Sequence, residues 1–171
     1  MLRYFEEMNR RLALEGKFGE IVIAGGAALA LVFNARESTR DIDAIFQPSE
    51  DLRKIIKSMA DDYNLNQDWL NDGVKGFMTE KMNFHEVLSY SNLSVSSVDA
   101  EGLLAMKLIS ARDATNDMAD SVFLMKALDI STKSELFDII EKYTHPNQHS
   151  MASKYFTMEA FEKYKQALSK P

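Results

Sequence analysis

The chain contains no cysteine among its 171 residues. This absence excludes disulfide bonds and zinc sites built on thiolates, and it agrees with a reducing environment. No apolar run approaches the roughly 20 residues that a membrane-spanning helix needs, and the N-terminal segment lacks the apolar core of a signal peptide. We therefore expect a cytoplasmic protein that has no membrane partner.

The chain also lacks an excess of positive charge, since its formal net charge is −6. Broad nucleic-acid-binding faces depend on clustered Lys and Arg, so this balance argues against such a face. Apolar residues make up 46% of the chain, which is enough to bury one sizeable core. We expect two regions packed as one compact unit, over residues 1–98 and 99–171.

Hydrophobic spacing predicts an α/β (α+β) fold with a small mixed sheet and a C-terminal helical region. Short apolar or alternating runs predict strands, and apolar residues three or four positions apart predict helices. The predicted strands cover residues 21–24, 41–46, 77–79, 84–89 and 93–98. The predicted helices cover residues 1–17, 27–35, 50–63, 103–128, 136–143 and 155–168.

Two glycine-rich phosphate-binding motifs are absent: the P-loop and the dinucleotide fingerprint. Gly25-Gly26 nevertheless falls where a predicted strand leads into a predicted helix. Small residues at such a turn let a phosphate approach backbone N–H groups at the helix N-terminus. Taken alone, the pair is more typical of a tight strand-to-helix turn than of a phosphate site.

Asp41-Ile42-Asp43 lies at the start of the second predicted strand. Alternate residues of a strand point to the same face, about 7 Å apart, so both carboxylates are expected to converge on hard cations. A pair of Mg²⁺ or Mn²⁺ ions about 4 Å apart activates an attacking oxygen and a phosphate together. Solvated turn residues also form Asp-x-Asp sequences, so the pair alone does not decide the function.

Gly25-Gly26, a helix and Arg40-Asp41-Ile42-Asp43 together resemble the pattern of the polymerase-beta-like nucleotidyltransferase superfamily. The sequence Gly-Gly-Ala-Ala-Leu, followed by Ser-Thr-Arg-Asp-Ile-Asp, is similar to the motif of a minimal bacterial branch that includes the AbiEii-type toxins. The resemblance implies transfer of a nucleoside monophosphate from an NTP such as ATP, dependent on Mg²⁺ or Mn²⁺. It assigns the metals to Asp41 and Asp43, and the triphosphate to Gly25 and Gly26.

A second block, residues 103–112 followed by 116–120, resembles the downstream motif of that branch, a Lys and then Asp-x-x-Asp. The resemblance implies that Lys107 contacts nucleotide phosphate, that Asp117 is a catalytic acid, and that Asp120 is structural. Lys107 has another interpretation, in which its stem is buried and its ammonium lies in water.

On one unbroken helix, Lys107 and Asp117 would differ by about 80° in azimuth and about 15 Å along the axis, and would hardly meet. We therefore predict a break over residues 113–116, where Thr115 and Asn116 can cap a second helix.

Other assignments stay open at this point. Glu86, on the predicted strand 84–89, is the alternative to Asp117 as the third acid. Arg40 either binds phosphate or pairs with an acid of the site, and the simpler interpretation is a surface ion pair. His145 and His149 have metal-like spacing, but Pro146 disrupts the helix that would align them, so we expect surface residues.

Two functions remain. The first is a nucleotidyltransferase that joins a nucleoside monophosphate to an acceptor hydroxyl and releases pyrophosphate. Its acceptor is an RNA 3′ end, a protein side chain or a small alcohol. The second is an inactive protein of the same fold that binds a protein partner, as in a toxin–antitoxin-like pair, since fold alone does not establish activity.

Overall fold

The computed structural model describes residues 1–35, 39, 41–110 and 116–169. These residues form a five-stranded mixed sheet and seven α-helices, which confirms the predicted α/β class with a helical C-terminal region. The chain divides into two compact units: unit 1 is residues 1–76 and 84–98, and unit 2 is residues 77–83 and 99–171. None of the described helices is long and apolar enough to span a membrane.

Unit 1 contains the sheet and three helices. The helices are α1 (Leu2–Leu14), α2 (Gly25–Leu31) and α3 (Ser49–Tyr63). The strands are β1 (Gly19–Ile23), β2 (Ile42–Gln47), β3 (Leu70–Asn71), β4 (Phe84–Ser89) and β5 (Leu93–Val98).

The strand order in the sheet is β3-β2-β1-β5-β4. Strand β1 is central: it pairs antiparallel with β2, which follows α2, and parallel with β5. Ile23 is opposite Ala44 on β2 and Ser97 on β5, so this register fixes the level at which β1 ends and the chain turns into α2.

One face of the sheet is buried beneath α1 and α3. A Cβ on Gly19 would lie 2.9 Å from Leu12 Cδ1 and 3.2 Å from Leu52 Cδ2, which shows how closely both helices approach. Ile42 and Ala44 face this core, whereas Asp43 between them lies on the other face and is only half-buried. The alternation of β2 therefore places Asp43 away from α1 and α3.

Unit 2 contains four helices: α4 (Ala100–Ser110), α5 (Asp117–Ala127), α6 (Lys133–Tyr143) and α7 (Met151–Leu168). Helix α4 is apolar on most sides and packs against α5, α6 and α7. Polar side chains begin these helices, since Asp99 Oδ1 accepts from Gly102 N–H at 2.8 Å and Ser150 Oγ accepts from Ser153 N–H at 3.0 Å.

The predicted strand at 77–79 is wrong. Residues Gly73–Phe77 form a 3-10 helix, and Thr79 is buried, with its hydroxyl donating to Tyr143 O at 3.0 Å. A three-residue run carries too little periodicity to distinguish a strand from a buried turn. Conversely, the two-residue strand β3 escaped prediction because it is shorter than the alternation that identifies a strand.

Candidate functional site

The strongest local feature of unit 1 is the contact between the glycine turn and Asp43. Ala24 N–H donates to Asp43 O at 2.8 Å, which extends the pairing of β1 and β2 to the turn. Gly25 then adopts a φ of +54°, and a Cβ there would lie 2.9 Å from Asp43 Oδ2. Backbone conformation therefore favours glycine here, and any side chain would have to displace this carboxylate oxygen.

The two acids of Asp41-Ile42-Asp43 have different settings. Asp43 lies within β2, whereas Asp41 is exposed in the bend one residue before that strand. Thr39 Oγ1 donates to Asp41 O at 3.0 Å. The predicted strand held both acids, but β2 begins at Ile42, so the pleat sets the direction of Asp43 and the bend sets that of Asp41.

The chemistry of these two residues fits a hard cation. Mg²⁺ is bound in proteins by one or two carboxylates, with phosphate oxygens and water completing the octahedron. Over the described ranges, no group of three or more His, Cys, Asp or Glu is gathered as a metal site. An ion at Asp41 and Asp43 would accordingly take further oxygen ligands from substrate and water.

Glu86 does not join this pair. It lies on β4, three strand spacings or roughly 14 Å from β2, and its Oε2 accepts from Ser94 Oγ at 2.9 Å. Glu86, the alternative third acid, therefore lies too far from Asp43 to share a site with it.

Unit 2 brings together the residues of the downstream motif. Lys107 Nζ donates to Asp117 Oδ1 at 2.5 Å and lies 2.9 Å from Asp120 Oδ2. Ser110 Oγ is 2.9 Å from both Asp117 Oδ2 and Lys107 O, so its one hydrogen is available to either acceptor. We call these four residues the Lys107 network. Its charged side chains are only 15%, 9% and 8% exposed for Lys107, Asp117 and Asp120.

Of the predicted break over residues 113–116, only Asn116 lies among the described residues. The described part of α4 reaches Ser110 and α5 begins at Asp117, and Lys107 contacts Asp117 as the predicted break requires. Asn116 is the N-cap of α5, although its side chain makes no capping hydrogen bond. Thr115, the other predicted cap, lies outside the described residues.

Other predicted residues have different outcomes. Arg40 lies outside the described residues, and the phosphate contacts of Gly26 and Lys107 stay predictions. His145 and His149 are exposed, as expected for surface residues.

The resemblance assigns Asp120 a structural role, and in the structure Asp120 contacts the same ammonium as Asp117. The signal was present in the i, i+3 spacing, which places both carboxylates on one side of the first turn of α5.

Comparison with known proteins assigns the chain to a family. Residues 1–169 match the model of a family described as "Nucleotidyltransferase of unknown function (DUF6036)". No curated protein and no solved structure gave a significant match to the chain. Because the match spans both units, including the glycine turn, Asp43 and the Lys107 network, this chain belongs to that family of nucleotidyltransferases of unknown function.

Proposed function

We propose that this protein is a metal-dependent nucleotidyltransferase that moves a nucleoside monophosphate from an NTP to an acceptor hydroxyl. The observation that carries the proposal is the packing of Gly25 against Asp43. Because Gly25 has a positive φ and no side chain, the half-buried Asp43 carboxylate lies directly beside the backbone of the turn. Membership of a nucleotidyltransferase family supports the same chemistry.

In this proposal Asp41 and Asp43 hold Mg²⁺ or Mn²⁺, and Gly25 and Gly26 offer backbone N–H groups to the triphosphate. The metal, when bound, supplies positive charge that stabilises the developing charge on the phosphates. Lys107 binds phosphate oxygens, as the resemblance implies, and Arg40 either binds phosphate or pairs with an acid of the site. Asp117 takes part through Lys107, which it contacts directly.

The transfer step is a displacement at the α-phosphorus. A bond forms between the acceptor oxygen and this phosphorus, the bridging bond to the β-phosphate breaks, and the acceptor hydroxyl passes its proton to solvent water. Pyrophosphate leaves with the electron pair of the broken bond.

Labelling with each α-³²P NTP, Mg²⁺ and a cell extract tests the proposal. We expect the wild-type protein to transfer label to one fraction, which identifies the acceptor as RNA, protein or a small molecule. Asp43→Asn should abolish this transfer, since it removes a charged oxygen ligand while leaving the strand in place.

Glu86→Gln is the matched control, because it removes an exposed carboxylate of the same sheet that lies away from Asp43. It should label the same fraction as the wild type. Undiminished labelling by Asp43→Asn would refute the metal assignment. No labelling by the wild type with any NTP would favour an inactive partner-binding protein of this fold.

A further inference from the structure

The Lys107 network joins two helices through the end of one long side chain. Lys107 belongs to the last turn of α4, whereas Asp117 and Asp120 occupy the first turn of α5. The ammonium lies between the two carboxylates, at 2.5 Å and 2.9 Å. A lysine has many rotamers, so contacts with two acids from another helix restrict the position of its Nζ more than one contact does.

Both acids contact residues of α4. Asp117 has Lys107 at Oδ1 and Ser110 at Oδ2, so both of its oxygens lie against donors of α4. Asp120 Oδ2 approaches the same ammonium from three residues further along α5. Asp117 thus joins α5 to two residues of α4, and Asp120 supplies the second contact that orients Lys107.

Stability alone gives a weak reason for this arrangement. Buried ion pairs often contribute little to stability, because the cost of removing charges from water offsets their attraction. Buried charged groups with specific partners are instead frequent where chemistry takes place. A buried lysine held from two sides is suited to placing one positive charge accurately.

We propose that Asp120 is a positioning residue for the transfer reaction, which it assists by orienting the Lys107 ammonium. This inference rests on the proposed function, in which Lys107 contacts the triphosphate. Asp120 touches neither substrate nor metal in this assignment. It acts through its contact with Lys107.

Removal of the Asp120 charge should separate binding from turnover. Asp120→Asn makes the surroundings of Lys107 less negative, so KM for the NTP with Mg²⁺ should stay unchanged or fall. The ammonium is then less well fixed, so kcat should fall about tenfold or more. A structural role alone would change kcat and KM in parallel with the melting temperature.

The experiment measures pyrophosphate release from the NTP and acceptor fraction found by labelling, together with melting curves. Asp120→Glu, which restores a carboxylate one methylene longer, should recover part of kcat. Lys107→Met should lose transfer. Glu101→Gln is the matched control, since it breaks a carboxylate–lysine pair of unit 2 with Lys142 and should leave kcat and KM unchanged.

Each result decides the question. Unchanged kcat in Asp120→Asn, beside loss of transfer in Lys107→Met, would overturn the positioning role and leave the proposed function intact. Transfer retained by Lys107→Met would also overturn it. So would changes of kcat and KM in Asp120→Asn that run in parallel with a lowered melting temperature. If Asp120→Asn does not fold, wild-type kcat in Asp120→Glu overturns the inference and lowered kcat at normal stability supports it. Absence of transfer in the wild type would refute both proposals together.

Discussion

Gly25 is a residue at which backbone conformation and packing both disfavour a side chain. Its φ of +54° disfavours an L side chain by about 1 kcal/mol. A Cβ would also meet Asp43 Oδ2 at 2.9 Å. We predict that Gly25→Ala lowers the free energy of unfolding by about 2 kcal/mol, as measured by urea denaturation.

A matched variant separates the two contributions. Gly16 has a φ of +63°, yet a Cβ there would meet no described heavy atom within 4 Å. Gly16→Ala should therefore cost only about 1 kcal/mol. In an Asp43→Ala background, Gly25→Ala should cost about the same 1 kcal/mol, because the colliding carboxylate is gone. Equal costs of Gly25→Ala in both backgrounds would contradict the contact.

At the scale of elements, an ion-pair cluster ties α1 to α3. Arg11 contacts Glu7 Oε1 at 2.6 Å on its own helix, and Ser58 Oγ at 2.8 Å and Asp62 Oδ2 at 2.7 Å on α3. Glu7 also accepts two hydrogen bonds from Arg10. The bonds from Arg10, and then those from Arg11, lower the pKa of Glu7 to about 2 against the opposing effect of burial.

This lowered pKa makes the contribution of Glu7 depend on pH. A carboxyl whose pKa is lower in the folded protein stabilises the fold above its unfolded pKa, near 4.5, and loses that contribution as the pH falls to about 2. Between pH 5 and 2, we expect wild-type stability to fall by about 1 kcal/mol more than that of Glu7→Gln. This value allows for the screening of exposed Arg10 by water.

Urea denaturation over this pH range measures the difference. Glu6→Gln is the control, because it removes the same charge from the adjacent, exposed position of α1. Its curve should keep the wild-type slope. Parallel curves for the wild type and Glu7→Gln would show that the Arg10 and Arg11 contacts do not stabilise the fold.

For the whole molecule, nucleotide binding should appear as increased stability. A ligand that binds only the folded state at a hundred times its Kd adds about 2.7 kcal/mol. For a chain of this size, that corresponds to a rise in Tm of roughly 5–10 °C. We predict such a rise for an NTP with Mg²⁺ at millimolar concentration, measured by differential scanning fluorimetry.

The two variants used for labelling also test the rise in Tm that the nucleotide causes. Glu86→Gln should show the wild-type rise in Tm, and Asp43→Asn should show a smaller one. A nucleoside without phosphates should give little change, since the assigned residues bind phosphate and metal. If no NTP raises the Tm of the wild type, the protein is better described as a partner-binding member of its family.

Much of the fold could be predicted because long elements repeat their pattern several times. Phe5, Met8 and Leu12 repeat at helical spacing and are buried in α1, as expected. The predicted strand 93–98 coincides with β5 for the same reason. Short elements such as β3 carry no repeat, so only pairing with a neighbouring strand creates them.

The sequence by itself determined which chemical groups are present and how nearby residues are placed. The order strand, Gly25-Gly26, helix and Asp43 follows from local spacing, and so does the start of α5 at Asp117. Local geometry depends on a few dihedral angles, which adjacent residue types largely set.

Only the tertiary structure decided which groups touch. It placed Asp43 Oδ2 where a side chain on Gly25 would lie, and it put Glu86 three strands away from β2. It also brought Asp120 beside Lys107, a contact that joins two separate helices. Such contacts depend on how elements pack and register, which is set by the burial of the whole core and cannot be read from the spacing of a few residues.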